Sequence, residues 1–258
     1  MLRWMFLVAA LVMAGSAGSV KADLLNAVNR GWYESDGTTE TGFLLSGIPN
    51  NSYIAGRACH FDDVSGALLG HFEFNNFFVF DLTGRTTPVT AASLKLYIPL
   101  DALSGPGAIG YQSPFPSDVY ALFDVSTPLS TLQGSVNSTS AFADLGSGIS
   151  YGSRTVTGPD IATQITIDLN AAGLAAVNAN LGGFFVVGGA VTSLDRTQSM
   201  DQIVFAFSHN YTGTGLNDGS TQLQLSPDGP VIPAPPAVFL IAAALPVLGV
   251  LRLRRKVG

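Results

Sequence analysis

The chain has 258 residues, 47% hydrophobic and only 12% charged, with a formal net charge of −6. All 18 acidic residues fall between positions 23 and 229, where only Arg30, Arg57, Arg85, Lys95, Arg154 and Arg196 oppose them, so 6 basic against 18 acidic residues leave that region at −12. Such a field repels nucleic acid and anionic lipid, and no Lys/Arg cluster with interleaved aromatics offsets it, which excludes a nucleic-acid partner.

In chain order, the first element is MLRWMFLVAALVMAGSAGSVKA. A basic Arg3, an apolar stretch through Met13, small residues and a Val20-Lys21-Ala22 ending form the pattern of a cleavable secretory signal over 1–22, which leaves Asp23 as the mature start. The alternative is an uncleaved anchor, for which the apolar stretch is short. Either reading places residues 23–229 outside the cytoplasm, in a region sized for one domain.

That region alternates short apolar runs with turn residues, and the pattern predicts an all-β fold. Strands are expected at Gly42–Leu45, Ser52–Ile54, His71–Asp81 with a turn near Asn75-Asn76, Ala91–Ile98, Asp118–Phe123, Ile165–Leu169, Phe184–Val187, Ile203–Phe207 and Gln222–Leu225. Runs such as Phe77-Phe78-Val79-Phe80 suit central core strands, whereas Leu94, Leu96 and Ile98 alternate with Lys95 and Tyr97 as in a strand with one wet face. One short helix is expected over AAGLAAVNANLG, capped by Asn170, with Leu174, Val177 and Leu181 on one face and Gly182 ending the turn. Many short strands, one helix and about 200 residues favour a single jelly-roll-like β-sandwich whose open end the helix covers.

Few residues suit catalysis. His60, His71 and His209 show no His-Glu-x-x-His or His-x-His spacing that places two imidazoles on one metal. Ser147 lies in Leu-Gly-Ser-Gly, without the Gly-x-Ser-x-Gly turn of a hydrolase nucleophile. Cys59, the only cysteine, forms no intramolecular disulfide; it is either a small buried hydrophobe or a thiol open to cross-linking. Adjacent Cys59 and His60 point to opposite faces of a strand, which disfavours a dyad between them. Glu34, Glu40 and Glu73 are the only glutamates, and most aspartates sit where turns use them. Asp62-Asp63 and Asn217-Asp218-Gly219 offer oxygen ligands to a calcium ion without EF-hand spacing, and ordinary turn roles account for them equally. No cofactor is expected otherwise. Trp32 and Tyr33, in a polar segment, are the candidate platform for stacking on a sugar ring; the alternative is that Trp32 packs beneath an N-terminal strand.

The last element, 230–258, runs VIPAPPAVFLIAAALPVLGVLRLRRKVG from Val231. Pro233, Pro235 and Pro236 lack amide donors and favour an extended backbone, the form a protease cleft accepts. From Ala237 to Leu251 no side chain is charged, and as a helix the run reaches about 22 Å. That is short of a bilayer core of roughly 30 Å, a deficit that thinning and snorkelling arginines can cover. Arg252, Arg254, Arg255 and Lys256 then lie on the cytoplasmic side as a basic stop.

Signal, Pro-x-Pro motif, apolar run and Arg-rich end together resemble the PEP-CTERM sorting signals of Gram-negative bacteria. The motif here is Ile232-Pro233-Ala234-Pro235-Pro236, in which Ala234 stands where the PEP form has Glu, closer to the VPLPA-type variant. The resemblance implies a transmembrane helix, recognition and cleavage near Pro233–Pro235 by an exosortase or related membrane peptidase, and then release or attachment at the cell surface. More weakly, FFVFDL, VTAASLKLYI, ITIDLN, GFFVVGG, IVFAFS and TQLQL are similar in order to DNRLRE-type surface β-sandwiches, akin in shape to carbohydrate-binding modules. Those residues report fold more than ligand. The expectation is an exported, non-enzymatic surface or extracellular-matrix protein with exopolysaccharide as a partner. The alternatives are a dedicated carbohydrate-binding module and a glycan-active hydrolase.

Overall fold

Strands of alternating polarity and strands of unbroken hydrophobicity build two different antiparallel sheets. The computed structural model describes residues 22–41, 43–44, 48–49, 52–61, 68–99, 110–134, 136–205 and 220–226. They belong to one compact unit, Met1–Pro227; a second unit, Asp228–Gly258, falls outside them. The elements are β1 (Asp23–Asn26), β2 (Asn29–Glu34), β3 (Thr39–Thr41), β4 (Phe43–Leu44), β5 (Ile48–Pro49), β6 (Ala55–Phe61), β7 (Leu68–Asp81), β8 (Ala91–Tyr97), β9 (Tyr111–Gln112), β10 (Ser117–Phe123), α1 (Leu129–Gln133), α2 (Thr139–Leu145), β11 (Ser150–Thr157), β12 (Gln164–Asp168), α3 (Ala171–Ala179), β13 (Phe184–Val191), β14 (Gln202–Val204) and β15 (Thr221–Ser226). The fold is all-β, as expected.

The smaller sheet has the order β1-β15-β8-β12. Its register sets Ile167, Leu94 and Leu223 in one cross-strand row, all buried, while Thr166, Asp168 and Tyr97 are exposed. Each such Leu or Ile contributes about 1.5–3 kcal/mol by leaving water, and a one-residue slip would turn every one of them outward.

The larger sheet is organised by β7. A strand has two edges, and β7 gives one to β2 over Phe74–Val79. Its other edge pairs with β6 through Phe74 and with β13 from Asn76 onward, so the sheet forks there. The expected turn at Asn75-Asn76 is therefore not a turn: the strand runs on and changes partner. Asn76 fills the fork, donating to the Tyr53 carbonyl at 2.7 Å and accepting from the Tyr120 hydroxyl at 2.6 Å. Its fully buried amide is satisfied at both ends, which makes a polar residue tolerable in a core strand. Opposite it, Gly189 has no Cβ because one would strike the Tyr120 hydroxyl and Asn76 itself.

The Phe77–Phe80 run is buried on both faces. Phe78 and Phe80 join Leu94, Leu96, Ile165 and Leu223 in the core between the sheets. Phe77 and Val79 pack instead with Tyr33, Leu132, Ala141 and Leu145, under α1 and α2. These helices correct the expectation of one short helix; at five and seven residues they are too brief to show a helical period. Ser138 caps α2 by accepting from the Ala141 amide at 3.1 Å.

The expected helix is α3. The Asn170 side chain accepts from the Ala172 and Gly173 amides, both at 3.0 Å, and Gly182 follows the helix at a φ of 79°. Val177 enters the core, and Asn178 clamps Val89 through both its amide and its carbonyl. The Asn170 amide also bonds the Tyr151 carbonyl of β11, and on the opposite side Val28 donates to Val79, so the two sheets meet along both seams as a nearly closed barrel. Elsewhere the strand expected at Ile203–Phe207 ends at Val204, because Phe205 turns to a φ of 68°. The strand expected at Ser52–Ile54 instead begins at Ala55 as β6, and β1, β2, β3, β5, β9 and β11 were not expected from the pattern.

Candidate functional site

Successive residues of a strand face opposite ways, so β7 has an inner row of Phe72, Phe74, Asn76, Phe78 and Phe80 and an outer row of His71, Glu73, Asn75, Phe77 and Val79. Helices α1 and α2 cover Phe77 and Val79. The outer row then becomes polar, and the register with β6 adds Arg57 beside Glu73 and Cys59 beside His71. This polar half is the richest concentration of functional groups among the described residues.

A strap, 192–201, lies over it. Arg196 donates through Nε and Nη2 to the two carboxylate oxygens of Glu73, at 2.6 and 2.8 Å. That forked pair holds the guanidinium charged, with its pKa raised by the hydrogen bonds and the charge of Glu73. Arg57 donates to the Gln198 carbonyl at 2.8 Å, and the Cys59 amide to Asp201 at 2.6 Å. Where the strap leaves the sheet, a groove of about 350 Å³ opens between it and α2, lined by Glu73, Asn75, Phe142, Ala143, Leu194 and Arg196. Asn75 donates its amide to the Phe142 carbonyl at 2.8 Å. Gly146 makes that approach possible, since a Cβ there would strike the Asn75 amide.

Under the strap the Cys59 thiol lies 3.2 Å from Nδ1 of His71 and 3.1 Å from the Ser199 carbonyl. Sequence reasoning weighed His60 as its neighbour; the residue that meets it is His71, set opposite by the register of two consecutive antiparallel strands. Alternation in both AGRACHF and LLGHFEF was the available signal. Burial first, then the Asp201 carboxylate, pushes the thiol pKa up, so the pair favours a hydrogen-bonded thiol over a nucleophilic thiolate.

Trp32 and Tyr33 do not form a platform. Trp32 is 5% exposed, edge-on to Phe74 with centroids 5.2 Å apart, in a cluster with Ile54 and Ile203. Tyr33 is fully buried on the opposite side of β2, where its hydroxyl donates to the Thr131 carbonyl at 3.2 Å. The polar residues around them misled the reading: α1 and α2 cover one face of β2, and the domain core takes the other. Neither ring has a free face for a sugar.

The other candidates divide simply. Ser147 donates to the Ala143 carbonyl and finishes the turn after α2. His209, Asp62-Asp63, Asn217-Asp218-Gly219, the Ile232–Pro236 motif and the basic Arg252, Arg254, Arg255 and Lys256 lie outside the described residues. Among the described residues no three His, Cys, Asp or Glu side chains converge as a metal site, and no helix is long and apolar enough to cross a membrane.

Among the perturbed acids, Glu34 and Asp144 shift in opposite directions. Glu34, at the β2 turn, is pushed up to about 7 by burial and by Asp36. Asp144 of α2 moves the other way: burial raises its pKa, but hydrogen bonds from the hydroxyls and amides of Ser126 and Thr127 outweigh that and hold it low. Asp144 thus fastens the segment before α1 to α2.

The chain matches no protein-family model and no curated protein. Function is therefore argued from its own residues.

Proposed function

We propose that this chain is an exported, non-enzymatic protein of the cell surface or extracellular matrix, sorted through its C-terminal segment and cleaved near Pro233–Pro235 by an exosortase or related membrane peptidase. The observation that carries the reading is the order of features in the tail: Ile232-Pro233-Ala234-Pro235-Pro236, then an uncharged apolar run, then Arg252, Arg254, Arg255 and Lys256. Prolines keep the cleavage segment extended, the apolar run holds it at the membrane, and the basic end fixes its orientation. The −12 charge of residues 23–229 agrees with a product that stays off anionic lipid once cut. A jelly-roll-like sandwich belongs to the same reading, supported by two antiparallel sheets around one core.

Deleting residues 230–258 tests this in the exporting cell. The expected outcome is a secreted, unanchored domain that bypasses the peptidase; a truncated chain still processed and retained at the surface contradicts the reading.

A second reading, carbohydrate binding, no longer rests on Trp32 and Tyr33. The groove beside Glu73 and Arg196 favours it, because polar groups of both kinds there border an apolar wall.

A further inference from the structure

The groove between α2 and the strap offers an unusual balance of hydrogen-bonding groups. Glu73 accepts one guanidinium hydrogen on each carboxylate oxygen, and each oxygen keeps capacity for another donor. Arg196 spends one hydrogen each of Nε and Nη2 on that pair and retains the second of Nη2 and both of Nη1. Asn75 commits its amide nitrogen to the Phe142 carbonyl, which leaves its side-chain oxygen as an acceptor. Donors and acceptors thus line one opening.

A ligand that is only an acceptor, such as a phosphate or carboxylate, meets the repulsion of Glu73 and of a domain at −12. An ammonium group, only a donor, meets Arg196. A hydroxyl is both donor and acceptor, and two neighbouring hydroxyls match the array without a charge conflict. Beside the polar groups, the half-buried Phe142 and Leu194, packed on the two core layers, offer a small apolar surface to the C–H face of a sugar ring. At about 350 Å³ the groove sits at the small end of ligand pockets. The Arg196 side chain is 66% exposed, so water screens its side of the ion pair and lets it rearrange around a guest.

We propose that this groove binds a neutral pyranose unit of a glycan, with Glu73, Arg196 and Asn75 reading adjacent hydroxyls and Phe142 and Leu194 packing on the ring. The proposal rests on the second reading above and names its ligand class and its site. It is independent of sorting, which is read by mass and cell fraction, so either can fail alone.

The test is saturation-transfer NMR on the full chain in a detergent that carries no sugar, with micelles alone as the control. The probes are the methyl glycosides of glucose, galactose and mannose, with glucuronate and glucosamine as charged counterparts. At least one neutral glycoside is expected to bind, and both charged sugars more weakly. Ala143→Trp places a bulky ring in the groove from an exposed helix position and is expected to abolish the signal. Arg196→Ala is expected to weaken binding about tenfold, equivalent to about 1.4 kcal/mol. Both sites are exposed, and an unchanged thermal midpoint confirms that each variant is folded. Binding of no neutral glycoside, preference for glucuronate, or undiminished binding in folded Ala143→Trp would each overturn the proposal.

Discussion

The outer face of the small sheet presents Lys95, Tyr97, Thr166 and Asp168, whereas the outer face of β7 presents Phe77 and Val79 beneath two helices and then Asn75, Glu73 and His71 beyond them. The first face meets water beyond the buried Ser93, and its residues alternate accordingly from Leu94 to Tyr97. The second is covered for half its length and polar for the rest. The groove opens at the boundary, where α2 ends and the strap begins. A covered sheet face creates a site where its cover stops.

That contrast can be broken in several places. The largest effect is expected at the fork: Asn76→Ala removes the hydrogen bonds to the buried Tyr53 carbonyl and Tyr120 hydroxyl at about 1–3 kcal/mol each, for a loss of about 4 kcal/mol in urea unfolding. A loss below about 1 kcal/mol would mean that β7 does not depend on Asn76 to change partners. Next comes the cover itself. Leu145→Ala, at the fully buried last residue of α2, is expected to cost about 3 kcal/mol by the same measurement and to expose Phe77 to a hydrophobic dye.

A smaller effect is a pH dependence at the β2 turn. The fold prefers neutral Glu34, whose pKa rises from 4.5 to about 7. Its stabilising contribution is full below pH 4.5 and is lost as pH rises through about 7. Melting temperatures of Glu34→Gln should decline less than those of the parent across that window, and parallel curves would remove the assignment. The smallest change in stability is expected for Arg196→Ala, about 1 kcal/mol, because Arg196 is 66% exposed and the Glu73 carboxylate it leaves, at 19%, still reaches water. A larger loss would show that the strap is structural and not an adaptable rim.

The same contrast explains what the residues disclosed. Leu94-Lys95-Leu96-Tyr97 announced its strand because one face is wet, and Asn170 announced its helix because the cap, the apolar spacing and the Gly182 stop agree. Phe77–Phe80 gave a core strand without saying what lay on either side, since a run buried on both faces has no period. Asn75-Asn76 looked like a turn because local chemistry favours one there, and the strand's change of partner is a long-range pairing that no short window contains. Trp32 and Tyr33 looked exposed for a related reason, their polar neighbours being local and their covering helices about 100 residues away. The groove combines β7, α2 and the strap, with Glu73 and Arg196 123 residues apart in sequence, and only the fold brings them together.

The most direct test of the central claim is the intact mass and cellular fraction of the protein from its exporting cell, with and without Pro233→Ala and Pro235→Ala. The account predicts a mature chain running from Asp23 to near Pro233, whose processing fails in the double variant. A membrane-bound product that still carries Arg252 to Gly258 would contradict it and make the tail a simple anchor.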